Sequence, residues 1–95
     1  MQTNIIPAGT GAAESIPFEV TGPVLVAAFG TLGSDTGDIQ RQATNGIFVA
    51  LYNAGEQVQV KAASPQVAID APGIYKVVFS ARAAAIGVDK QPYPA

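Results

Sequence analysis

The most regular feature of this sequence is a set of short apolar runs separated by turn residues. Three runs, residues 15–21, 57–62 and 73–82, alternate apolar and polar side chains with a period of two. In a β-strand this alternation puts the apolar side chains on one face and the polar ones on the other. The apolar set is Ile16, Phe18, Val20, Val58, Val60, Ala62, Tyr75, Val77, Phe79 and Ala81. The polar set of the third run includes Lys76, Ser80 and Arg82. These runs predict half-buried strands.

Two further runs, Val24 to Phe29 and Ile47 to Tyr52, are apolar at every position. Such strands lie in a sheet that is covered on both faces, or they present one face to a partner. Alternate positions of the two runs are therefore our candidate protein-interface residues. They are Leu25, Ala27, Phe29, Phe48, Ala50 and Tyr52. The pattern alone does not distinguish the outward face from the inward one.

Turn residues divide the chain at intervals of about five to ten residues, as expected of strands joined by tight turns. Examples are Gly22-Pro23, Asn45-Gly46 and Pro72-Gly73. No run has the length and the period of an amphipathic helix. The sequence therefore predicts an all-β fold. We expect an antiparallel β-sandwich or a small β-barrel with about six to seven short strands, and an immunoglobulin-like sandwich is the first choice.

Three local features refine this prediction. Pro17 has no backbone N–H to donate, so the strand that contains it is expected at a sheet edge. The last strand, residues 86–90, has only a weak strand pattern. Tyr75 follows the turn at Pro72-Gly73, which allows two interpretations. It forms a tyrosine corner, as in Greek-key sandwiches, or it is an ordinary core aromatic with its hydroxyl at the rim.

A chain of this length corresponds to one domain. Residues 1–13 are polar and rich in glycine and alanine without periodicity, and residues 91–95 contain two prolines. We expect a flexible N-terminal arm over 1–13, a β-sandwich domain over 14–90 and a C-terminal tail over 91–95.

The composition argues against catalysis and cofactors. Hydrophobic residues make up 48% of the chain and charged residues 13%, and there is no His, Cys or Trp. The commonest general base, the thiolate nucleophile, His or Cys metal ligands and disulfides are therefore absent. Gly9-Thr10-Gly11 begins like a dinucleotide-binding fingerprint, but Glu14 stands where the third glycine belongs. We expect neither an enzyme nor a bound cofactor.

Asp35 and Asp38 are the best candidates for metal ligands. They lie three residues apart in a glycine-rich loop, where carboxylates and carbonyl oxygens could hold a hard cation such as calcium. The bidentate glutamate of an EF-hand is missing, and Asp, Gly and Ser are common in turns. We interpret the pair as a solvated turn and expect no metal site.

The charge pattern and the hydropathy bear on partners and location. Five basic and seven acidic residues give a net charge of −2, and the basic residues are spread singly, so we expect no nucleic-acid partner. A membrane-spanning helix needs about 20 apolar residues, and no apolar run in the sequence approaches that length. No secretory signal is indicated, because Arg41 is the first basic residue. We expect a soluble protein without a membrane partner. The absence of cysteine fits a reducing cytoplasm and also an extracellular protein without disulfides.

The chain is more apolar than a small domain requires. Roughly two-fifths of the unfolded surface of a domain this small stays exposed after folding. Only twelve charged residues are available to cover that surface, five basic and seven acidic. We therefore expect part of the apolar surface to contact another protein.

The C-terminal third resembles a family of small virion proteins of tailed bacteriophages. The similar segments are Val67-Ala68-Ile69-Asp70-Ala71-Pro72-Gly73-Ile74-Tyr75-Lys76-Val77-Val78 and Ile86-Gly87-Val88-Asp89. In that family a Pro-Gly-x-Tyr strand closes a sandwich and a short Gly-Val segment follows, with arginine more usual at the position of Lys76. The N-terminal half is similar as well, with a Gly- and Ala-rich arm, an edge strand and then Gly22-Pro23-Val24-Leu25-Val26.

The resemblance implies a non-enzymatic structural part of a phage particle. Members of the family are capsid decoration (cement) proteins, head fibres or other small parts, and both head and tail positions occur. Decoration proteins bind the outside of an icosahedral shell as trimers or as monomers. We therefore expect a capsid decoration protein on the virion surface, made in the host cytoplasm. Its partners would be the major capsid protein or another virion protein and copies of itself, with a trimer favoured. The alternative is an immunoglobulin-like binding module of a bacterial surface or carbohydrate-active protein.

Overall fold

The computed structural model of the protein describes residues 2–93, and this part of the chain forms strands and turns without a helix. Its strands are β1 (Thr3–Gly9), β2 (Ala13–Glu14), β3 (Phe18–Val20), β4 (Val24–Phe29), β5 (Gly37–Gln42), β6 (Phe48–Ala50), β7 (Tyr52–Asn53), β8 (Glu56–Gln57), β9 (Gln59–Val60), β10 (Gln66–Ile69), β11 (Gly73–Phe79) and β12 (Ile86–Pro92). Many are shorter than the predicted strands because turns and bulges interrupt them.

The strands form two antiparallel sheets that enclose one core. Sheet A has the order β1-β12-β4-β10. In sheet B, β2 and β3 lie along one side of β11, β5 lies along the other, and β6 and β9 both pair with β5. Strands β7 and β8 form a separate hairpin. The predicted antiparallel β-sandwich is confirmed.

The strand order differs from the immunoglobulin order that was our first choice. In immunoglobulin sandwiches the last two strands lie side by side in one sheet. Here β11 belongs to sheet B and β12 to sheet A, so the chain crosses between the sheets at residues 80–85.

The core takes one face of each sheet. Sheet B contributes the inward side of β11, whose buried residues are Tyr75, Val77 and Phe79 as predicted. The other buried apolar residues are Ile6, Phe18, Val20, Val26, Leu32, Ile39, Val60, Ile69, Ile86 and Val88. The Tyr75 hydroxyl donates a hydrogen bond of 2.9 Å to the carbonyl oxygen of Ala71. This is the hydrogen bond of a tyrosine corner, so the first of the two interpretations of Tyr75 is confirmed.

The prediction of a flexible N-terminal arm over residues 1–13 is wrong. Strand β1 pairs with β12 along the edge of sheet A, and Ile6 is only 2% exposed. The register shifts between Asn4 and Ile6 and again between Ile6 and Gly9. Because these irregularities interrupt the two-residue period, the residues of β1 do not alternate between apolar and polar in the sequence.

The prediction of a C-terminal tail over 91–95 is also wrong for its first residues, because β12 continues through Gln91 and Pro92 beside β4. Pro94 and Ala95 of that tail, like Met1 of the predicted arm, lie outside the described residues. The weakly patterned last strand is in fact an inner strand of sheet A, with β1 on one side and β4 on the other. Ile86 and Val88 supply its buried face.

Three side chains lie on the face opposite to the prediction. Ile16 is 84% exposed, because Ser15 takes the buried position instead. The Ser15 hydroxyl accepts a hydrogen bond from the backbone N–H of Val77 at 2.9 Å, and the chain bulges outward at Ile16 and Pro17. As predicted from Pro17, this part of the chain forms an edge of sheet B. Ala62 and Ala81 are exposed because their strands have already ended.

Arg82 was assigned to the polar face but is buried. Its guanidinium donates hydrogen bonds to four backbone carbonyl oxygens at 2.7–3.1 Å. The acceptors belong to Pro7, Thr10, Gly11 and Ile86. Pro7 lies in β1, and Thr10 and Gly11 lie between β1 and β2. This one side chain therefore ties the N-terminal crossing between the sheets to the start of β12.

Candidate interface surfaces

The six predicted interface residues lie in three separate places. Leu25, Ala27 and Phe29 share the outer face of sheet A, and Val26 between them points into the core. Phe48 and Ala50 lie on the outer face of sheet B, on the other side of the sandwich. Tyr52 lies on the β7–β8 hairpin and is 62% exposed. No single flat surface contains all six.

The outer face of sheet A carries an apolar row, called here the β4 stripe, formed by Leu25, Ala27 and Phe29. On the adjacent strand β12, the residues directly opposite are Gln91, Asp89 and Gly87. Because Gly87 has no side chain, the Phe29 ring lies over its backbone. The stripe borders a shallow depression of about 230 Å³ that Gln2 and Gln66 also line.

Hydrogen bonds hold the polar border of this depression in place. The Asp89 carboxylate accepts hydrogen bonds from the side-chain amides of Gln2 at 2.7 Å and Asn4 at 2.9 Å. The Asn4 amide also donates to the carbonyl oxygens of Ile6 and Val88, so it occupies the first bulge of β1. The result is an apolar row beside an acidic and amide border that is held by hydrogen bonds.

On sheet B, a cation covers the aromatic interface candidate. The Lys76 ammonium lies 4.6 Å from the centre of the Phe48 ring and 3.6 Å from a carboxylate oxygen of Glu14. A cation over an aromatic face is attracted by the ring quadrupole. Ala50, on the same face as Phe48, is half-buried.

The most exposed apolar residues in and directly before β6 are not among the predicted interface residues. Ile47 is 61% exposed and Val49 is 51% exposed. Both belong to the apolar run from Ile47 to Tyr52, in which the predicted interface residues are the alternate positions Phe48, Ala50 and Tyr52. Their side chains are on the same face of sheet B as Ile39, but β6 lies at the rim, where sheet A does not cover them. Only the position of β6 at the end of sheet B distinguishes the two sets.

Asp35 and Asp38 each bind a different element. The Asp35 carboxylate accepts a hydrogen bond from the backbone N–H of Ala83 at 2.8 Å, which fixes the crossing from β11 to β12. Asp38, on β5, accepts a hydrogen bond from the Gln59 amide at 2.7 Å. Within residues 2–93 no three His, Cys, Asp or Glu side chains are grouped as metal ligands. The described chain also has no helix that is long and apolar enough to cross a membrane.

The comparisons with known proteins identify a fold. No protein-family model and no curated protein sequence matches the chain. The crystal structure of the SPBc2 prophage-derived protein YomS is similar, with a TM-score of 0.74 over 95% of this chain and 88% of that chain. The two sequences are 14% identical. The chain therefore shares its fold with a prophage-derived protein.

Proposed function

We propose that this chain is a non-enzymatic structural protein of a bacteriophage particle, which decorates and stabilises the outside of the capsid. The observation that carries the proposal is the β4 stripe, an apolar row on the outer face of sheet A beside a polar border that is held by hydrogen bonds. The shared fold with a prophage-derived protein supports a phage origin. The sequence resemblance to small virion proteins points the same way.

The β4 stripe is the surface that we assign to the major capsid protein or another virion protein. Its centre is apolar at Leu25, Ala27 and Phe29, and its rim is polar at Asp89 and Gln91. An apolar centre within a polar rim is the usual anatomy of a protein interface. Neither nucleic acid nor a membrane is part of the proposal.

Decoration of a shell requires many copies bound at equivalent positions. We therefore include a homo-oligomer in the proposal, and a trimer would fit the three-fold positions of an icosahedral shell. Assembly in the host cytoplasm followed by attachment to the particle would place the protein on the virion surface. The alternative of an immunoglobulin-like binding module has no observation in its favour, since the strand order is not the immunoglobulin order.

The test is whether the protein belongs to the particle. Virions of the phage that encodes the chain would be purified by density gradient and analysed by mass spectrometry and by immunogold labelling. The proposal predicts a stoichiometric component with label over the head. A control with antibody against an unrelated host protein should leave the particles unlabelled. Absence of the chain from purified virions would contradict the proposal, and label confined to the tail would replace the capsid by a tail site.

A further inference from the structure

Strand β6 is an open edge of sheet B. It pairs with β5 on one side, and no strand of residues 2–93 pairs with it on the other. The stretch around it, from Gln42 to Gly55, contains no charged residue. Open edges of this kind readily accept another strand, and proteins usually protect them with charges, prolines or bulges.

The other edges of the two sheets have such protection. Strand β1 contains Pro7 and two shifts of register. The edge formed by β2 and β3 is interrupted at Pro17. Strand β10 lies between Pro65 and Asp70. Strand β6 is itself short, with three residues, but it alone among these edge strands has a large apolar side chain, that of Val49, more than half exposed.

The backbone groups of β6 that face outward follow from its register. Leu51 N–H donates to the carbonyl oxygen of Ile39, and Ala43 N–H donates to that of Ile47. In an antiparallel ladder, hydrogen-bonded pairs alternate with pairs that do not exchange hydrogen bonds. Phe48 and Ala50 therefore belong to the second kind, and their N–H and C=O groups point away from β5.

We propose that two copies of this protein pair through β6 in antiparallel orientation, with Val49 on the two-fold axis. Phe48 then lies opposite the partner's Ala50 and Ala50 opposite the partner's Phe48, and each pair exchanges two hydrogen bonds. Sheet B continues from one copy into the other. The proposal gives a dimer in place of the trimer favoured above, and it is independent of the attachment to a capsid.

The side chains of this register fit one another on both faces of the sheet. On the outer face the large Phe48 lies beside the small Ala50 of the partner. On the other face Val49 meets the partner's Val49, and Ile47 meets the partner's Leu51. This contact covers Ile47 and Val49, which are among the most exposed large apolar residues of the single chain. A two-fold contact is also closed, so the pair does not grow into a filament.

The pairing can be tested with proline, which removes one outward N–H without touching the β5–β6 ladder. Proline is tolerated at such edge positions. Ala50→Pro is the test variant, and Ala68→Pro is its control. Ala68 lies on the edge strand β10, and its N–H also points outward, because Ala28 N–H donates to the carbonyl oxygen of Pro65 in that ladder. Melting curves of both variants establish that they are folded.

Sedimentation equilibrium then gives the mass of each protein over a range of concentrations. We expect the wild type and Ala68→Pro to reach twice the 9.7 kDa chain mass. For Ala50→Pro the dissociation constant should rise by at least about tenfold. A wild type that is monomeric at every concentration, or a folded Ala50→Pro that dimerises as well as the wild type, would overturn the pairing. A trimeric mass would also overturn it while leaving the proposed attachment intact.

A second experiment tests the register itself. Because the chain has no cysteine, a single introduced cysteine can form a disulfide only with the same cysteine of another copy. Facing residues in a pair without hydrogen bonds have Cα atoms about 4.5 Å apart, within the range of a disulfide. Val49→Cys should therefore form a covalent dimer under mild oxidation, whereas the control Ala68→Cys should not. Equal cross-linking of the two variants would refute the proposed register, even if Ala50→Pro fails to fold.

Discussion

The aromatic ring of Phe29 lies directly over the backbone of Gly87, its neighbour across strands β4 and β12. No side chain of any other residue type would leave room for the ring at this point. The same glycine is also close to the carbonyl oxygen of Ile6 on β1, which would lie 2.8 Å from an added Cβ. One small residue thus allows three strands of sheet A to approach each other and fixes one end of the β4 stripe.

Replacing Gly87 by alanine should therefore destabilise the protein and displace Phe29. We expect the free energy of unfolding to fall by about 1–3 kcal/mol, because the added methyl group meets both an aromatic ring and a backbone oxygen. The measurement is denaturant unfolding followed by circular dichroism. Gly22→Ala is the matched control, since a Cβ at Gly22 has no atom within 4 Å, and it should change stability by less than about 0.5 kcal/mol. Equal stability of the two variants would contradict this account of Gly87.

Arg82 should contribute to stability through its hydrogen bonds to backbone carbonyl oxygens. Arg82→Met keeps much of the apolar stem but removes the guanidinium, leaving the carbonyl groups of residues 7, 10 and 11 without this donor. We expect a loss of about 1.5–3 kcal/mol in the free energy of unfolding. Arg41→Met is the control, because Arg41 is exposed and makes one hydrogen bond, of 3.4 Å. A loss of the same size in both variants would show that Arg82 has no special role.

The buried position of Ile6 gives the N-terminal segment a structural role. Ile6→Ala should reduce the free energy of unfolding by about 2–5 kcal/mol, because it removes a core side chain and leaves a cavity. The exposed Ile16 provides the control, and Ile16→Ala should be nearly neutral. Deletion of residues 1–13 should lower the melting temperature further, because it also removes β1 and three acceptors of Arg82. A truncated protein that melts like the full chain would contradict this role and support the flexible arm predicted from the sequence.

The sequence predicted those parts of the fold in which local pattern and tertiary position agree. Strand β11 has an apolar residue at every second position from Tyr75 on, and Tyr75, Val77 and Phe79 are all buried as expected. The hydrogen bond from the Tyr75 hydroxyl to the carbonyl oxygen of Ala71 spans the turn at Pro72-Gly73 that precedes the strand. In such segments, the side-chain period and the turn residues are sufficient to predict the strand and its buried face.

The errors arise where a side chain replaces a backbone partner or a bulge breaks the period. The Ser15 hydroxyl takes the place of a backbone acceptor for Val77, which turns Ile16 outward. Arg82 is buried because carbonyl groups about 70 residues earlier in the chain accept its hydrogen bonds, a relationship that no local pattern contains. For the candidate interface, the sequence identified two apolar runs. It could not place them on opposite sides of the sandwich, because that depends on sheet order.

The β4 stripe gives the most direct test of the proposed function. The three proteins to compare are the wild type, Leu25→Asp, and Ile16→Asp as a control at an exposed residue outside the stripe. Matching melting curves would establish that all three are folded. Each would then be sedimented with empty capsids of the phage to which the proposal assigns the chain. We predict that the wild type and Ile16→Asp pellet with the capsids. Leu25→Asp should bind at least about tenfold more weakly, because a carboxylate would be buried without a partner. A wild type that stays in the supernatant, or a Leu25→Asp that pellets as efficiently as the wild type, would contradict the account.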